Sequence, residues 1–161
     1  MTITTSEIIY GPYDQKLHSE IMKFYYSLTQ EQDSFTLSLE QILDSSQIVL
    51  LYNQDNNVVG VAGLRAMFLH SKYFMVVHKD YQGKGYGKKI ISQILHNFSK
   101  RALLLLSVER SNINARRLYN TVDFKIIYRH KTNAIMLYNN KAGQWFRWPI
   151  MLLLFIKSQF S

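Results

Sequence analysis

Three glycines at alternate positions restrict the fold of this chain more than any other feature. They lie in Gln82-Gly83-Lys84-Gly85-Tyr86-Gly87, between an apolar stretch with strand character and a stretch with helical periodicity. At such a junction the backbone N–H groups of the helix N-terminus carry partial positive charge and bind phosphate. Glycines permit positive φ angles and close approach of a ligand. Lys84, Lys88 and Lys89 add charge, so the loop predicts a site for nucleotide phosphates.

Two common phosphate motifs do not match this loop. A Walker A loop has four residues between its glycines and then Lys followed by Ser or Thr. Here three residues separate Gly83 from Gly87, and two lysines follow. A dinucleotide fingerprint has the spacing G-x-G-x-x-G at the start of a βαβ unit, whereas this loop has G-x-G-x-G. The frame that remains is Gln82-x-x-Gly85-x-Gly87.

The hydrophobic periodicity along the chain predicts a mixed α/β domain built on one sheet. The predicted order is strand, two helices, three strands, helix, strand, helix and two strands. Asp14 and Ser38 are predicted N-caps of the first two helices. Leu103 to Val108 is a continuous apolar run, which predicts a central strand buried on both faces. The predicted strands lie at about 7–10, 48–52, 58–67, 73–78, 103–108, 124–129 and 134–138.

The frame Gln82-x-x-Gly85-x-Gly87 resembles the pyrophosphate loop of the GNAT acetyltransferases, which lies between the fourth strand and the third helix. The preceding His78-Lys79-Asp80-Tyr81 is also similar to the family, with Lys79 where many members have proline. The resemblance implies a GNAT fold, with a mixed central sheet, splayed strands 4 and 5 and flanking helices. It implies acetyl-CoA as co-substrate, with these cofactor-binding residues: Val76, Val77, Gln82, Gly83, Lys84, Gly85, Tyr86, Gly87 and Lys88.

A second stretch, from Asn112 to Phe124, is similar to the family's second motif, an Asn followed by a short helix with Ala, Leu and Tyr. Asn112 matches the Asn, and Tyr119 completes the Leu-Tyr pair. Asp123 stands where the family has glycine, and Asp tolerates the left-handed region better than most residues do. The resemblance extends over about Ile8 to Tyr138.

The resemblance implies direct attack of a primary amine on acetyl-CoA. A backbone N–H of the fourth strand, at position 76 or 77, would polarise the thioester carbonyl. Tyr119 would protonate the departing thiolate, and a general base would take the proton of the amine. Glu109 is the predicted base, with His78 as a second candidate. Asn112 would bond the pantetheine arm or cap its helix. A non-catalytic acyl-CoA-binding regulatory module of the same fold is the alternative function.

The composition narrows the remaining possibilities. The chain has no cysteine, and its five histidines lack ligand-like spacing; disulfides, thiolate catalysis and a metal site are therefore not expected. The formal net charge is +8, which favours anionic partners without choosing among them. The basic residues form no stripe interleaved with aromatics, so a nucleic-acid partner is not expected. The first residues lack the pattern of a signal peptide, which predicts a cytoplasmic protein.

Residues 1–140 are the predicted acetyltransferase domain, and residues 141–161 form an apolar and basic C-terminal tail. Pro149 predicts the first turn of a helix. The apolar run that follows is shorter than the roughly 20 residues that span a bilayer. Three interpretations stay open: packing on the domain's own core, a homodimer interface, or peripheral membrane contact through 145–157. The third places the protein at the inner face of a membrane, with a lipid-linked amine as acceptor rather than a small-molecule amine.

Overall fold

A computed structural model of the chain describes residues 3–31, 37–67, 70–97 and 103–159. The elements follow one another in the predicted order. The strands are β1 (Ile3–Tyr10), β2 (Gln47–Asn53), β3 (Val58–Ala66), β4 (Ser71–Val77), β5 (Leu104–Glu109), β6 (Phe124–Arg129) and β7 (Asn133–Tyr138). The helices are α1 (Gln15–Glu31), α2 (Leu39–Leu43), α3 (Tyr86–Asn97), α4 (Ile113–Thr121) and α5 (Lys141–Gln159).

The strands form one mixed sheet in the order β1-β2-β3-β4-β5-β7-β6. The pairs β1–β2, β2–β3, β5–β7 and β6–β7 are antiparallel. Strands β4 and β5 are parallel, and their register joins Ser71 to Leu104 and Lys72 to Leu105, at the beginning of both strands. The predicted mixed α/β sheet is confirmed.

The chain divides into two compact units. The first comprises Met1–Ala66 and Tyr73–Asn97. In it, α1 buries Ile21, Phe24 and Leu28, the i, i+3, i+7 spacing of one helix face. These side chains share a core with residues of β2 and β3. The predicted N-caps are also confirmed, since Asp14 Oδ1 accepts a hydrogen bond from the N–H of Leu17 at 2.8 Å and Ser38 forms a capping box on α2.

The second unit comprises Met67–Lys72 and Phe98–Ser161. Its strand β5 corrects one prediction, because burial alternates along it. Leu104, Leu106 and Val108 are buried, whereas Ser107 and Glu109 are exposed. The apolar run is therefore a strand that is covered on one face, and not on both faces as predicted.

Helix α5 corrects a second prediction. It begins at Lys141, so Pro149 lies in its interior and not in its first turn. The first helical hydrogen bond joins the N–H of Gln144 to the carbonyl of Asn140 at 3.0 Å. Among the helices in the described part of the chain, none is long and apolar enough to cross a membrane.

Candidate active site

The glycine-rich loop lies in the first unit and connects β4 to α3 through a short 3₁₀ turn, Lys79–Tyr81. Gly83 and Gly85 have φ angles of 74° and 81°. A Cβ atom at either position would meet nothing within 4 Å. Glycine is therefore required at both positions by the backbone conformation and not by packing.

The start of α3 lacks a cap of its own. The N–H of Lys89 donates to the carbonyl of Gly85 at 3.2 Å, so Gly85 occupies the capping position and offers no side chain. The described first turn of the helix carries no acidic residue. The N–H groups of Gly87 and Lys88 come before this first helical donor, at the end of the helix where partial positive charge attracts an anion. Lys88 is exposed beside them.

Other side chains of the loop hold its shape. Gln82 Nε2 donates to the carbonyl of Val77 at 2.8 Å, which ties the loop to the end of β4. His78 Nδ1 accepts from the N–H of Asp80 at 3.4 Å, and Lys84 Nζ donates to the carbonyl of Asp80 at 2.7 Å. Of the predicted cofactor-binding residues, Gln82 and Lys84 thus have structural contacts that the sequence motif does not show.

Tyr119 lies on α4 in the second unit and is 6% exposed. Its ring packs at a tilt against Phe124, with 5.9 Å between centroids, and Phe124 packs in turn on Tyr138. Burial raises the pKa of the Tyr119 phenol, because desolvation penalises the phenolate. The phenol therefore stays protonated throughout the neutral range, as a proton donor must. The same burial also makes Tyr119 part of the hydrophobic core.

Asn112 is the N-cap of α4. Its Oδ1 accepts a hydrogen bond from the N–H of Ala115 at 3.0 Å, which satisfies one of the free donors of that helix. The cap uses the carbonyl oxygen of the side chain and does not use the Nδ2 amino group. At the other end of the helix, Asp123 has a φ of 65°, which confirms the predicted left-handed turn.

Glu109 is exposed at the end of β5, next to the start of α4. Ser111 Oγ donates to Glu109 Oε2 at 3.3 Å, and the N–H of Asn112 donates to the carbonyl of Glu109 at 3.1 Å. The structure therefore brings Glu109 and Asn112 into one turn. The second candidate base, His78, lies in the first unit with its Nδ1 3.7 Å from Asp80 Oδ2.

Sequence reasoning missed two residues of this turn. Ser111 supports the Glu109 carboxylate, and Arg116 Nη1 donates to the carbonyl of Arg110 at 2.7 Å. A hydroxyl two residues after the candidate base was the available signal for Ser111. No sequence pattern indicates the contact of Arg116, because it depends on how the chain turns between β5 and α4.

Comparison with known families decides the assignment. The family described as the acetyltransferase (GNAT) domain matches residues 17–135. This chain belongs to the GNAT acetyltransferase family. Membership confirms the predicted family, and at that level it also confirms the predicted enzyme class and the acetyl-CoA co-substrate.

Individual relatives of this GNAT chain agree with that assignment. A [ribosomal protein bS18]-alanine N-acetyltransferase from Haemophilus ducreyi is 28% identical over 81 residues, which cover 48% of this chain and 56% of the relative. The match thus spans little more than half of that curated protein.

Solved structures show the same fold. A GNAT-family acetyltransferase from Streptococcus pneumoniae aligns with a TM-score of 0.64 and 18% identity, covering 83% of this chain and 98% of its own. The acetyltransferase yncA from Salmonella typhimurium, solved with its cofactor acetyl-CoA, aligns with a TM-score of 0.57 and 16% identity, covering 83% and 92%.

Proposed function

We propose that this protein is an N-acetyltransferase that transfers the acetyl group of acetyl-CoA to a primary amine by direct attack. The observation that carries the proposal is the glycine loop before α3, where Gly85 occupies the capping position of the helix. An exposed helix N-terminus, preceded by two glycines with positive φ and lacking a carboxylate in its described first turn, suits a pyrophosphate. The adjacent Lys88 adds a positive charge to that site.

In the proposed reaction the amine nitrogen bonds to the thioester carbonyl carbon and the C–S bond breaks. The N–H of Val76 or Val77 stabilises the negative charge that develops on the carbonyl oxygen. Tyr119 gives its proton to the CoA thiolate, and Glu109 accepts the proton of the attacking amine. The match of Tyr119 to the Leu-Tyr pair of the family motif supports the first role, and the exposure of Glu109 supports the second.

The proposed acceptor is a primary amine, and three groups of amine are to be tested. The curated relative is named for an alanine of a ribosomal protein. The α-amine of a peptide with an N-terminal alanine is therefore the first acceptor to test. Small-molecule amines form the second group. A lipid-linked amine, such as a lipid-linked amino sugar, joins the panel because α5 exposes large apolar side chains. A cytoplasmic location, including the inner face of a membrane, accompanies this proposal.

The test is an acetyl-transfer assay that measures both CoA thiol release and acetylated product over this panel. We expect product from at least one amine, and a Tyr119→Phe variant should lower kcat about 100-fold, within the usual range for a general acid. The KM for acetyl-CoA should stay within a few-fold, because the ring still packs on Phe124. Tyr10→Phe, at a residue that is 61% exposed on β1, is the matched control.

Two results would contradict the proposal in different ways. Acetyl-CoA binding without transfer to any amine would favour the non-catalytic acyl-CoA-binding module. Transfer at an unchanged kcat in Tyr119→Phe would preserve the enzyme but remove Tyr119 from the mechanism and leave it as a core residue.

A further inference from the structure

Among the side chains of α5 that the structure describes, at positions 144–155, the half-buried ones lie on one side of the helix. It packs against β6 and β7, and its half-buried residues are Ile150, Met151 and Leu154. At 3.6 residues per turn these three positions fall on one side of the helix. That side accounts for the contact of α5 with the sheet.

The opposite side of α5 is apolar and open to solvent. Trp145 is 84% exposed, Trp148 is 76% exposed, Leu152 and Leu153 are each 61% exposed, and Phe146 is 52% exposed. These five side chains, here called the outer face of α5, span roughly 160° around the helix axis at 3.6 residues per turn. A surface helix normally turns its polar side outward. A continuous exposed apolar face of this kind indicates an interaction surface.

The charge around the outer face selects among occupants. Beyond Asp123 the sequence contains no carboxylate and six basic residues, Lys125, Arg129, Lys131, Lys141, Arg147 and Lys157. Lys125 and Arg129 are exposed on β6, which α5 contacts. Arg147 is exposed on α5 but lies about 180° around the helix axis from the centre of the outer face. A second copy of the chain would bring like charges together across an isologous interface. An anionic lipid surface instead complements them.

Pro149 favours a wet boundary over a dry protein contact. Proline has no N–H to offer the carbonyl four residues earlier, which belongs to Trp145 on the outer face. Water at the level of lipid headgroups can satisfy that carbonyl, whereas an apolar protein surface cannot. Tryptophan side chains also concentrate at headgroup level, and Trp145 and Trp148 are the two most exposed residues of the face.

From these observations we propose that the outer face of α5 binds the surface of an anionic lipid bilayer. The helix lies in the interface with its apolar side among the upper acyl chains, and the basic residues meet the headgroups. This proposal does not depend on acetyl transfer, and it adds a membrane-binding surface to the GNAT domain.

The chain carries its own reporter for this event. Its two tryptophans, Trp145 and Trp148, both lie on α5, so tryptophan fluorescence reports on this helix alone. With the full chain we expect a blue shift on adding vesicles of phosphatidylcholine with 30% phosphatidylglycerol, and quenching by brominated lipids. The shift should be weaker with phosphatidylcholine alone, and added salt should reduce it.

Charge reversal tests the electrostatic part and keeps both tryptophans. A double Lys125→Glu, Arg129→Glu variant should weaken binding to the anionic vesicles about tenfold or more, since each basic residue near the surface contributes on the order of a factor of five. A double Lys16→Glu, Lys23→Glu variant, at exposed lysines of α1, makes the same charge change elsewhere and should weaken binding much less. Vesicle flotation of a double Trp145→Ser, Trp148→Ser variant should lose the protein from the lipid fraction, while Tyr10→Ser should not.

Three outcomes would overturn the proposal. The first is a full chain that shows neither flotation nor a blue shift with anionic vesicles. The second is equal weakening by the two charge-reversal pairs on β6 and on α1, which would mean that net charge and not the region of α5 drives binding. The third is a dimer in sedimentation that the double tryptophan variant dissociates, without vesicle binding, which would assign the outer face to a second copy.

Discussion

Helices α3 and α4 begin in opposite ways, and the difference separates a binding feature from a structural one. At α4, the Asn112 side chain caps the first turn and satisfies one of its N–H donors. At α3, the capping position is Gly85 with a φ of 81°, and the described first turn has no acidic residue. Because the partial positive charge of a helix N-terminus attracts an anion, and glycine puts no side chain there, the start of α3 is better suited to an external anion than that of α4.

The strongest way to break this comparison is to place a carboxylate at the start of α3. Gly85→Asp should lower CoA affinity about 100-fold or more, because the new charge would repel the pyrophosphate. The backbone should tolerate the change, since Asp123 already adopts a φ of 65°. Isothermal titration calorimetry with CoA measures the effect.

Gly85→Asn is the matched control, because Asn has nearly the same shape and also tolerates the left-handed region. We expect Gly85→Asn to lower CoA affinity about tenfold. The ratio of the two variants' affinities for CoA then measures the effect of the negative charge. Equal affinities for Asp and Asn, or no loss in either, would show that the N-terminus of α3 does not hold the phosphates.

A pH profile separates ionisation of Tyr119, the proposed proton donor on α4, from ionisation of the attacking amine. At subsaturating amine, kcat/KM should rise about tenfold per pH unit below the pKa of the amine. It should then stay on a plateau up to pH 10, because burial raises the pKa of Tyr119 above its ordinary value of 10.0. An alkaline limb below pH 10 that disappears in Tyr119→Phe would contradict the raised pKa. A tyrosine with an ordinary pKa would lower kcat/KM near pH 10, whereas the burial of Tyr119 moves this decrease to higher pH.

Stability sets the upper limit of that experiment. Burial raises the pKa of Tyr13 and of Tyr52 to about 12, and the charge of Glu20 adds to the effect at Tyr52. In the unfolded chain these phenols ionise near pH 10, whereas in the folded chain they do not. Their contribution to stability is therefore fully present below pH 10 and is lost as the pH rises towards 12. Circular dichroism at pH 8, 10 and 11 should show this decline, and rates are best compared below it.

A smaller change tests whether Asn112 does more than cap. Asn112→Ala should lower the free energy of unfolding by about 1 kcal/mol, whereas Asn112→Asp keeps an oxygen acceptor for the N–H of Ala115 and should not. If Nδ2 also bonds the pantetheine arm, both variants should raise the KM for acetyl-CoA about fivefold, the value of one ordinary hydrogen bond. An unchanged KM in Asn112→Asp would leave Asn112 as a cap alone.

The order of the elements, the caps and the turn at Asp123 could be predicted because each depends on neighbours in sequence. A capping side chain such as Ser38 needs only the next few residues to do its work. Two other features could not be predicted, because they depend on contacts between residues that are distant in sequence. Burial of only one face of β5 depends on which elements cover each side of the sheet. An apolar run in the sequence does not indicate this. The structural contact of Gln82 with the carbonyl of Val77 likewise follows from the path of the loop.

The same reasoning explains α5. Periodicity and the rule for proline in the first turn predicted a start at Pro149, but the helix begins at Lys141. The helix tolerates the proline because residues 144–149 are exposed, so that water can bond the carbonyl of Trp145, whose helical N–H partner is missing at Pro149. Which side of an all-apolar helix faces outward is likewise a tertiary property. The exposure of Trp145 and Trp148 could therefore be seen only in the structure.

The smallest expected effect sharpens the comparison at the far end of α4, where Asp123 closes the helix with a φ of 65°. A residue with a Cβ atom pays on the order of 1 kcal/mol for this conformation, and Asp somewhat less. Glycine avoids that cost but loses more backbone entropy on folding, so Asp123→Gly should raise the free energy of unfolding by about 0.5 kcal/mol. Asp123→Ala should lower it by about 1 kcal/mol. The hydrogen bond from the N–H of Asn139 to the carbonyl of Asp123, at 2.8 Å, uses only backbone atoms and survives both changes. Urea unfolding of the original chain and the two variants measures both changes in the free energy of unfolding. Because the two changes have opposite signs, a general destabilisation by mutation cannot produce them. An Ala variant as stable as the original chain would mean that the turn relaxes, and that α4 is not held closed at this end.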